Sequence, residues 1–273
     1  MTRILIAGAG DIGLTLAARL VADGHDTTTL NRSGRGAAGA TSFVGDLADP
    51  ATLAGLPETD VVVFTTAPPT RDDAGYRLAY VDGPQRVLAA LPSDPTRTVL
   101  TSTTGVYGVD DGSWIDASSP AEPNRATAEI VVEGETALAA AAPTCLVRAS
   151  GIYGPGRGRL IRHVRDGIVG VDDAAAPRWT NRIHRDDLAT ALARVALLDS
   201  PPPAVIAVDD EPSPRDDVLR FLASELGVEL GRDPDPASRP RGKRCRNDAL
   251  RATGWAPVFP SYREGYPPLV AAE

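Results

Sequence analysis

The chain opens with the feature that most constrains its fold: an apolar run, a glycine-rich turn and then a helical pattern. The run covers residues 3–7, and a G-x-G-x-x-G motif follows at residues 8–13. In a strand–turn–helix unit, Gly8 permits the tight turn, Gly10 lets the backbone approach a pyrophosphate, and Gly13 lets the helix pack on the strand. The free N–H groups at the start of the helix then face the anion. The opening therefore predicts a dinucleotide site that includes Gly8, Gly10, Asp11, Ile12 and Gly13.

Short apolar segments alternate with helical patterns along most of the chain. Strands are predicted at 3–7, 25–30, 44–47, 60–66, 98–102, 144–148 and 204–208. Helices are predicted at 12–23, 74–91, 122–142, 158–169, 184–198 and 213–226, and loops at 170–180 and 232–241. Ser213 is expected to be the N-cap of the last helix. This alternation predicts an α/β fold with a doubly wound parallel sheet. Residues 1–156, completed by 181–210, are expected to form the core, and 157–180 with 211–273 a smaller C-terminal substrate lobe.

Composition narrows the classes of function. The net charge of −8 argues against a nucleic-acid surface, and the arginine-dense stretch 239–246 lacks interleaved aromatic residues. No apolar stretch is long enough to cross a bilayer, and no signal peptide is evident. Cys145 and Cys245 are isolated, which predicts free thiols and no metal site. We therefore expect a cytoplasmic protein that acts on a small molecule. Lys243 is the only lysine, so any chemistry that needs a titrating lysine must use it.

The end of the second predicted strand bears on the choice of cofactor. An acidic residue at this position would bind the ribose 2′-hydroxyl of NAD, but the chain has Asn31, Arg32 and Ser33 instead. Arg32, with Ser33 and Arg35 as candidate helpers, suits a 2′-phosphate. The sequence thus favours NADP(H) over NAD(H), and a solvated loop with an ordinary arginine is the alternative.

Five motifs, taken in order and spacing, resemble the extended and atypical short-chain dehydrogenase/reductase superfamily, in its NAD-dependent epimerase/dehydratase branch. They lie at residues 8–13, 45–47, 101–108, 148–156 and 181–189, and residues 243–247 resemble an atypical subgroup. The resemblance implies a Rossmann fold that binds NAD(P). It also implies that Asp46 and Leu47 contact the adenine, and that the backbone at Thr65, Thr66 and Ala67 passes the nicotinamide ribose.

The chain departs from this family at the catalytic pair, Y-x-x-x-K. Counting along the helix places Arg125 at the tyrosine position and Glu129 at the lysine position. These residues are spaced i, i+4, so they form either an ordinary exposed ion pair or a site in the cleft. In the cleft, Glu129 would be a general base and Arg125 would bind a carboxylate or an oxyanion. The resemblance further implies that Thr103, with Ser102 beside it, hydrogen-bonds the substrate oxygen.

Other residues remain candidates at the rim of the expected cleft. Tyr107 is a candidate acid, while Tyr153, Asn181 and Arg182 are candidate substrate contacts. These patterns predict an oxidoreductase that transfers hydride between NADP(H) and a small, anionic carbonyl, hydroxyl or imine compound. The missing Y-x-x-x-K pair favours a second hypothesis, a non-catalytic NADP(H)-binding redox sensor. The sequence does not fix the oligomeric state. A homodimer is one alternative, because the helices at 74–91 and 122–142 often pair between subunits in related proteins.

Overall fold

A computed structural model describes residues 1–172, 176–233 and 241–272. The predicted loops at 170–180 and 232–241, and Arg239 within the arginine-dense stretch, fall partly or wholly outside these residues. Within them, no helix has the length and apolar character that a membrane span requires.

The main sheet has seven strands. They are β1 (Arg3–Ala7), β2 (Asp26–Asn31), β3 (Thr41–Val44), β4 (Val61–Phe64), β5 (Arg97–Thr103), β7 (Thr144–Ala149) and β11 (Ala204–Ala207). Among the described residues, six further strands lie outside it: β6 (Asp111–Ile115), β8 (Ile152–Tyr153), β9 (Trp179–Thr180), β10 (Ile183–His184), β12 (Ser213–Pro214) and β13 (Gly242–Cys245). The helices are α1 (Asp11–Ala22), α2 (Asp73–Arg77), α3 (Gly83–Ala90), α4 (Ala126–Ala141), α5 (Arg159–Arg165), α6 (Arg185–Leu197), α7 (Arg215–Leu226), α8 (Asp248–Arg251), α9 (Tyr262–Gly265) and α10 (Pro267–Ala271). Short 3-10 turns lie at Pro50–Leu53 and Thr104–Val106.

The strand order confirms the predicted doubly wound sheet. The order is β3-β2-β1-β4-β5-β7-β11, and every pairing in it is parallel. The order of the strands reverses between β1 and β4. From this point β1, β2 and β3 follow one another toward one edge of the sheet, and β4, β5, β7 and β11 toward the other. In open parallel sheets the ligand crevice forms at this reversal, outside the carboxyl ends of the strands.

The sheet has apolar side chains on both faces, as expected for strands that lie between two layers of helices. In β4 all four residues are buried, as expected for a strand covered by helices on both sides. Val61 and Val63 belong to the core cluster that includes α1 and α6, whereas Val62 and Phe64 belong to the cluster that includes α3 and α4. A third cluster packs the C-terminal lobe and includes Tyr153, Ile161, Val164, Leu219, Leu222, Tyr262 and Tyr266.

Two predicted elements differ from the structure. The third strand ends at Val44, so the prediction of 44–47 was wrong: the Asp46 N–H bonds the Thr52 hydroxyl at 2.8 Å, which takes the chain into a turn. The helix predicted at 74–91 is interrupted by a π segment, Leu78–Asp82, in which the Gly83 N–H bonds the Leu78 carbonyl. Pro84 has no N–H to continue the regular pattern, and this explains the interruption.

The predicted starts of two helices were also wrong. Ser213 does not cap α7; it lies in β12, and its hydroxyl donates to the Glu211 carbonyl at 2.8 Å. Helix α4 begins four residues later than predicted, at Ala126. The Asn124 side chain instead donates to the Gly108 carbonyl, which holds residues 122–124 against the end of β5 and its turn. Strands β6 and β13, which pair in parallel, were not predicted.

Candidate functional site

A cavity of about 410 Å³ lies at the carboxyl ends of β1, β2 and β4, and we call it the glycine-loop cavity. Its lining includes twelve residues predicted to bind the cofactor: Gly8, Gly10, Asp11, Ile12, Asn31, Arg32, Ser33, Asp46, Leu47, Thr65, Thr66 and Ala67. The sequence did not point to several others that also line it: Ala9, Leu30, Gly45, Pro69, Leu78, Ala79 and Arg157. The structure therefore gathers segments that are distant in sequence around one crevice, at the point where the sheet reverses.

The glycine turn is shaped by close backbone packing. Gly8 has a φ of 106°, in the region that favours glycine, and the Thr65 hydroxyl donates to its carbonyl oxygen at 2.6 Å. Gly13 is buried and does not line the cavity; a Cβ there would collide with the Gly8 carbonyl. Helix α1 has Gly10 as its N-cap and no side-chain cap. The Ile12 N–H bonds the Asp11 carboxylate, and the other N–H groups of the first turn are left to a ligand.

The loop after β2 presents one cation to this cavity. The side-chain oxygen of Asn31, Oδ1, accepts hydrogen bonds from the backbone N–H groups of Ser33 and Arg35, at 3.1 and 2.9 Å. Asn31 therefore closes the loop on itself. Arg32 is exposed at the cavity wall, and no acidic side chain occupies the end of β2.

Asp11 in the glycine motif forms an ion pair with Arg157, which follows β8. The Arg157 Nη2 donates to Asp11 Oδ1 at 2.8 Å, and its Nε donates to Oδ2. This hydrogen bonding holds the pKa of Asp11 below its usual value. Asp11 thus stays ionised at neutral pH, beside the amides that face the cavity.

A second cavity of about 360 Å³, the Thr103 cavity, lies beyond the end of β5. Three predicted catalytic residues, Thr103, Tyr107 and Arg125, line it. Lys243 lines it as well. Glu129 is exposed on the first turn of α4 and does not line this cavity. The predicted partner of Arg125 is therefore not brought into the cleft, and its role as a base stays a prediction.

Lys243 reaches the Thr103 cavity because β13 pairs with β6. Its Nζ donates to the Thr104 carbonyl at 3.1 Å and to the Tyr107 carbonyl. Burial lowers the pKa of Lys243, and the positive charge of Arg125 acts in the same direction. The cavity thus holds an amine that loses its proton more readily than an ordinary lysine.

The hydroxyl groups of Ser102, also predicted to be catalytic, and of Tyr107 join a buried polar network. Ser102 Oγ donates to Glu135 Oε1 at 2.5 Å, and Arg148 Nη1 donates to the Tyr107 hydroxyl at 2.8 Å. Arg148 and Glu135 are themselves paired, with Nη2 to Oε2 at 2.6 Å. Burial raises the pKa of Tyr107. Both hydroxyl groups are thus engaged inside the protein, and an acid or substrate contact at either position stays a prediction.

The predicted substrate contacts line a third cavity, of about 420 Å³, which β8, α5 and α7 border. Tyr153, Asn181 and Arg182 all border it, together with Arg157 and Arg159, and we call it the basic cavity. The Asn181 amide donates to the Lys243 carbonyl at 3.0 Å and accepts from the Cys245 N–H at 2.9 Å. This side chain therefore holds β13 in place, which in turn positions Lys243. Arg182 is buried and donates to the side chains of Thr180 and Ser213.

A parallel sheet in this order, with a glycine turn and an open helix N-terminus at its reversal point, defines a Rossmann-type nucleotide-binding protein. The model of the NAD dependent epimerase/dehydratase family matches residues 4–204. The chain belongs to this family, as its motifs predicted.

Solved structures agree with this assignment. A Methylobacillus flagellatus protein named as an NAD-dependent epimerase/dehydratase is 36% identical, with a TM-score of 0.85 over 99% of this chain and 98% of that one. The human epimerase family protein SDR39U1, solved with NADPH, shares the fold at 18% identity and a TM-score of 0.78 over 99% and 100%. Thermus thermophilus UDP-glucose 4-epimerase, solved with NAD, does so at 19% identity and 0.80 over 98% of both chains. A search of curated proteins found no match.

Proposed function

We propose that the protein is an NAD(P)-dependent oxidoreductase of the epimerase/dehydratase type. It would transfer hydride between NADP(H) and a small anionic carbonyl, hydroxyl or imine compound. The observation that carries this proposal is the glycine-loop cavity, which combines free helix amides with Arg32 at one crevice. The residues present fit a dinucleotide, because no side chain at Gly8 or Gly10 stands between the backbone and a diphosphate. The names of two structural neighbours, solved with NADPH and with NAD, support it further.

The proposed roles of the chain's own residues follow from their positions. The first turn of α1 binds the diphosphate, and Arg32 binds the 2′-phosphate. The cofactor, when bound, supplies or accepts the hydride. Thr103 donates a hydrogen bond to the substrate oxygen, and Arg125 with Lys243 attracts an anionic substrate. Lys243 is the proposed proton donor at that oxygen, in place of the tyrosine that the family pattern would supply.

Replacing Arg32 with alanine tests the choice of nucleotide. We expect Arg32→Ala to weaken NADPH binding roughly tenfold, since a hydrogen bond to a charged group contributes about 1.5–3 kcal/mol. NADH binding should change little. Titration of intrinsic or nucleotide fluorescence measures both affinities, and Arg19→Ala, which changes an exposed arginine outside the cavity lining, is the matched control. Equal losses for both nucleotides would refute the role of Arg32, and no affinity of the unaltered protein for either would refute the proposed function.

A second candidate is a redox sensor that holds NADP(H) without consuming it. The position of Glu129 favours this candidate. Glu129 stands where the family's Y-x-x-x-K pair has its lysine, and it does not line the Thr103 cavity. The two proposals differ in turnover. Incubation of the protein with NADPH and a panel of carbonyl and imine compounds distinguishes them: saturable binding without consumption of NADPH across the panel supports the sensor.

The lowered pKa of Lys243 predicts unusual amine reactivity. Because Lys243 is the only lysine, this side chain and the N-terminal amine are the only amines that trinitrobenzenesulfonate can modify. We expect Lys243 to react with a pH midpoint below about 10.4, the ordinary lysine value, and the nucleotide-free Lys243→Arg variant supplies the background. Mass spectrometry of the labelled peptide measures the rate at each pH. A midpoint at the ordinary value would show that burial does not perturb this amine.

A further inference from the structure

Arg157 borders two of the cavities described above. It lines the glycine-loop cavity together with Asp11, and it lines the basic cavity together with Arg159. Its position is set by a turn, in which the Arg157 N–H donates to the Gly154 carbonyl at 2.9 Å. The Asp11 and Arg157 side chains are each 37% exposed, so the pair faces the space that a ligand would enter.

The position of Asp11 raises an electrostatic problem for a nucleotide site. Asp11 is the first residue of α1, so its carboxylate lies beside the N–H groups that would bind a diphosphate. Two like charges at such short range repel each other, and a low pKa keeps Asp11 ionised. Without a counter-charge, this carboxylate would oppose the binding of the anion that the helix terminus attracts.

The charged groups that act on Asp11 come from two other segments. Arg157 contributes both a hydrogen bond and its charge, and Arg185 at the start of α6 adds a weaker attraction. The Ile12 N–H also bonds the carboxylate. Arg185 is itself paired with Asp186 and bonds the Pro155 carbonyl at 3.1 Å. Arg157 is thus the group that does most to balance the Asp11 charge.

We propose that Arg157 is a positioning residue of the dinucleotide site: it neutralises the Asp11 carboxylate so that a diphosphate can bind beside it. The inference rests on the proposed function, because it requires a dinucleotide in the glycine-loop cavity. It assigns a role in that site to a residue far outside the glycine motif, and it explains how an acidic residue is tolerated within the motif.

A double-mutant cycle on NADPH binding tests this role. We expect Arg157→Ala to weaken NADPH binding about tenfold, as removal of the nearest counter-charge leaves one unbalanced carboxylate. Asp11→Asn should bind no more weakly than the unaltered protein, and Asp11→Asn in the Arg157→Ala background should restore the affinity to within about twofold. Arg157→Lys keeps the charge on a single ammonium group, and its NADPH affinity should lie between those of Arg157→Ala and the unaltered protein. Arg159→Ala is the control, since Arg159 shares the basic cavity but makes no contact with Asp11.

Three results would overturn the inference. If Arg157→Ala and Arg157→Gln both bind NADPH as tightly as the unaltered protein, the ion pair has no part in nucleotide binding. If the double variant stays as weak as Arg157→Ala, Arg157 contacts the nucleotide itself and does not act through Asp11. If the unaltered protein binds no dinucleotide at all, the proposed function fails and the inference fails with it. Thermal melting of each variant, without nucleotide, separates these results from loss of the fold.

Discussion

Arg148→Ala is expected to lower the free energy of unfolding by about 3–5 kcal/mol, because it leaves a buried carboxylate without its counter-charge. Arg148, on β7, bonds Glu135 of α4 through Nε at 3.0 Å and through Nη2 at 2.6 Å. The side chains are only 9% and 4% exposed. The Ser102 and Tyr107 hydroxyls complete the same network, so the loss of Arg148 also removes the partner of Tyr107. Urea denaturation, with the midpoint and slope both fitted, measures the change.

The chain offers a matched control on its surface. Arg77 and Glu133 also form a bidentate ion pair, through Nη1 at 2.9 Å and Nη2 at 2.7 Å, but their side chains are 43% and 48% exposed. Arg77→Ala should therefore lower the free energy of unfolding by only about 0–1 kcal/mol. Glu135→Leu combined with Arg148→Met should be less destabilising than Arg148→Ala, since it removes both charges and keeps the volume. Losses of similar size for Arg148→Ala and Arg77→Ala would refute the energetic importance of burial here.

Gly10→Ala is expected to leave the fold intact and to abolish dinucleotide binding. A Cβ at Gly10 meets no atom within 4 Å, and its φ of −77° is ordinary for any residue. The added methyl group would nevertheless stand in the glycine-loop cavity, where the diphosphate approaches the backbone. We expect NADPH to bind at least roughly 100-fold more weakly, which corresponds to about 2.8 kcal/mol. Fluorescence titration measures the affinity, and thermal melting measures the fold.

Gly13→Ala should behave differently from Gly10→Ala, and the comparison separates loss of nucleotide binding from loss of the fold. Here a Cβ would collide with the Gly8 carbonyl and lie 2.8 Å from Thr65 Oγ1, so α1 must shift away from β1. This variant should lose both thermal stability and nucleotide affinity. If Gly10→Ala binds NADPH as tightly as the unaltered protein, the diphosphate does not lie over this turn.

The sequence predicts the fold well where the deciding signals are local. The apolar run at Val61–Phe64 and the glycine turn after β1 each determine an element without help from distant residues. The end of β3 was mispredicted because a hydrogen bond from the Asp46 N–H to the Thr52 hydroxyl, and not the hydrophobic pattern, turns the chain at Asp46. The pairing of β6 with β13 could not be predicted, since it joins segments more than a hundred residues apart that show no strong alternation.

The residues of the candidate site were likewise predicted where the sequence signal is local and missed where it is not. The residues predicted to bind the cofactor all lie in local motifs at strand ends, and the structure brings all but Gly13 to one cavity. Arg157 was missed because its partner Asp11 is 146 positions away. Lys243 was noticed as the single lysine and as part of the segment 243–247, but sequence spacing alone could not show that it enters the Thr103 cavity. Position in the sequence says little about which long, flexible side chains meet in space.

The late arrival of β13 in the chain has a consequence for biosynthesis. Every residue that lines the glycine-loop cavity has been made once the ribosome has added Arg157. Lys243, by contrast, cannot join Thr103 until translation has passed residue 245 and β13 has docked on β6. The residues that line the nucleotide cleft are thus all synthesised by position 157, whereas the lining of the Thr103 cavity is complete only once Lys243 has been added.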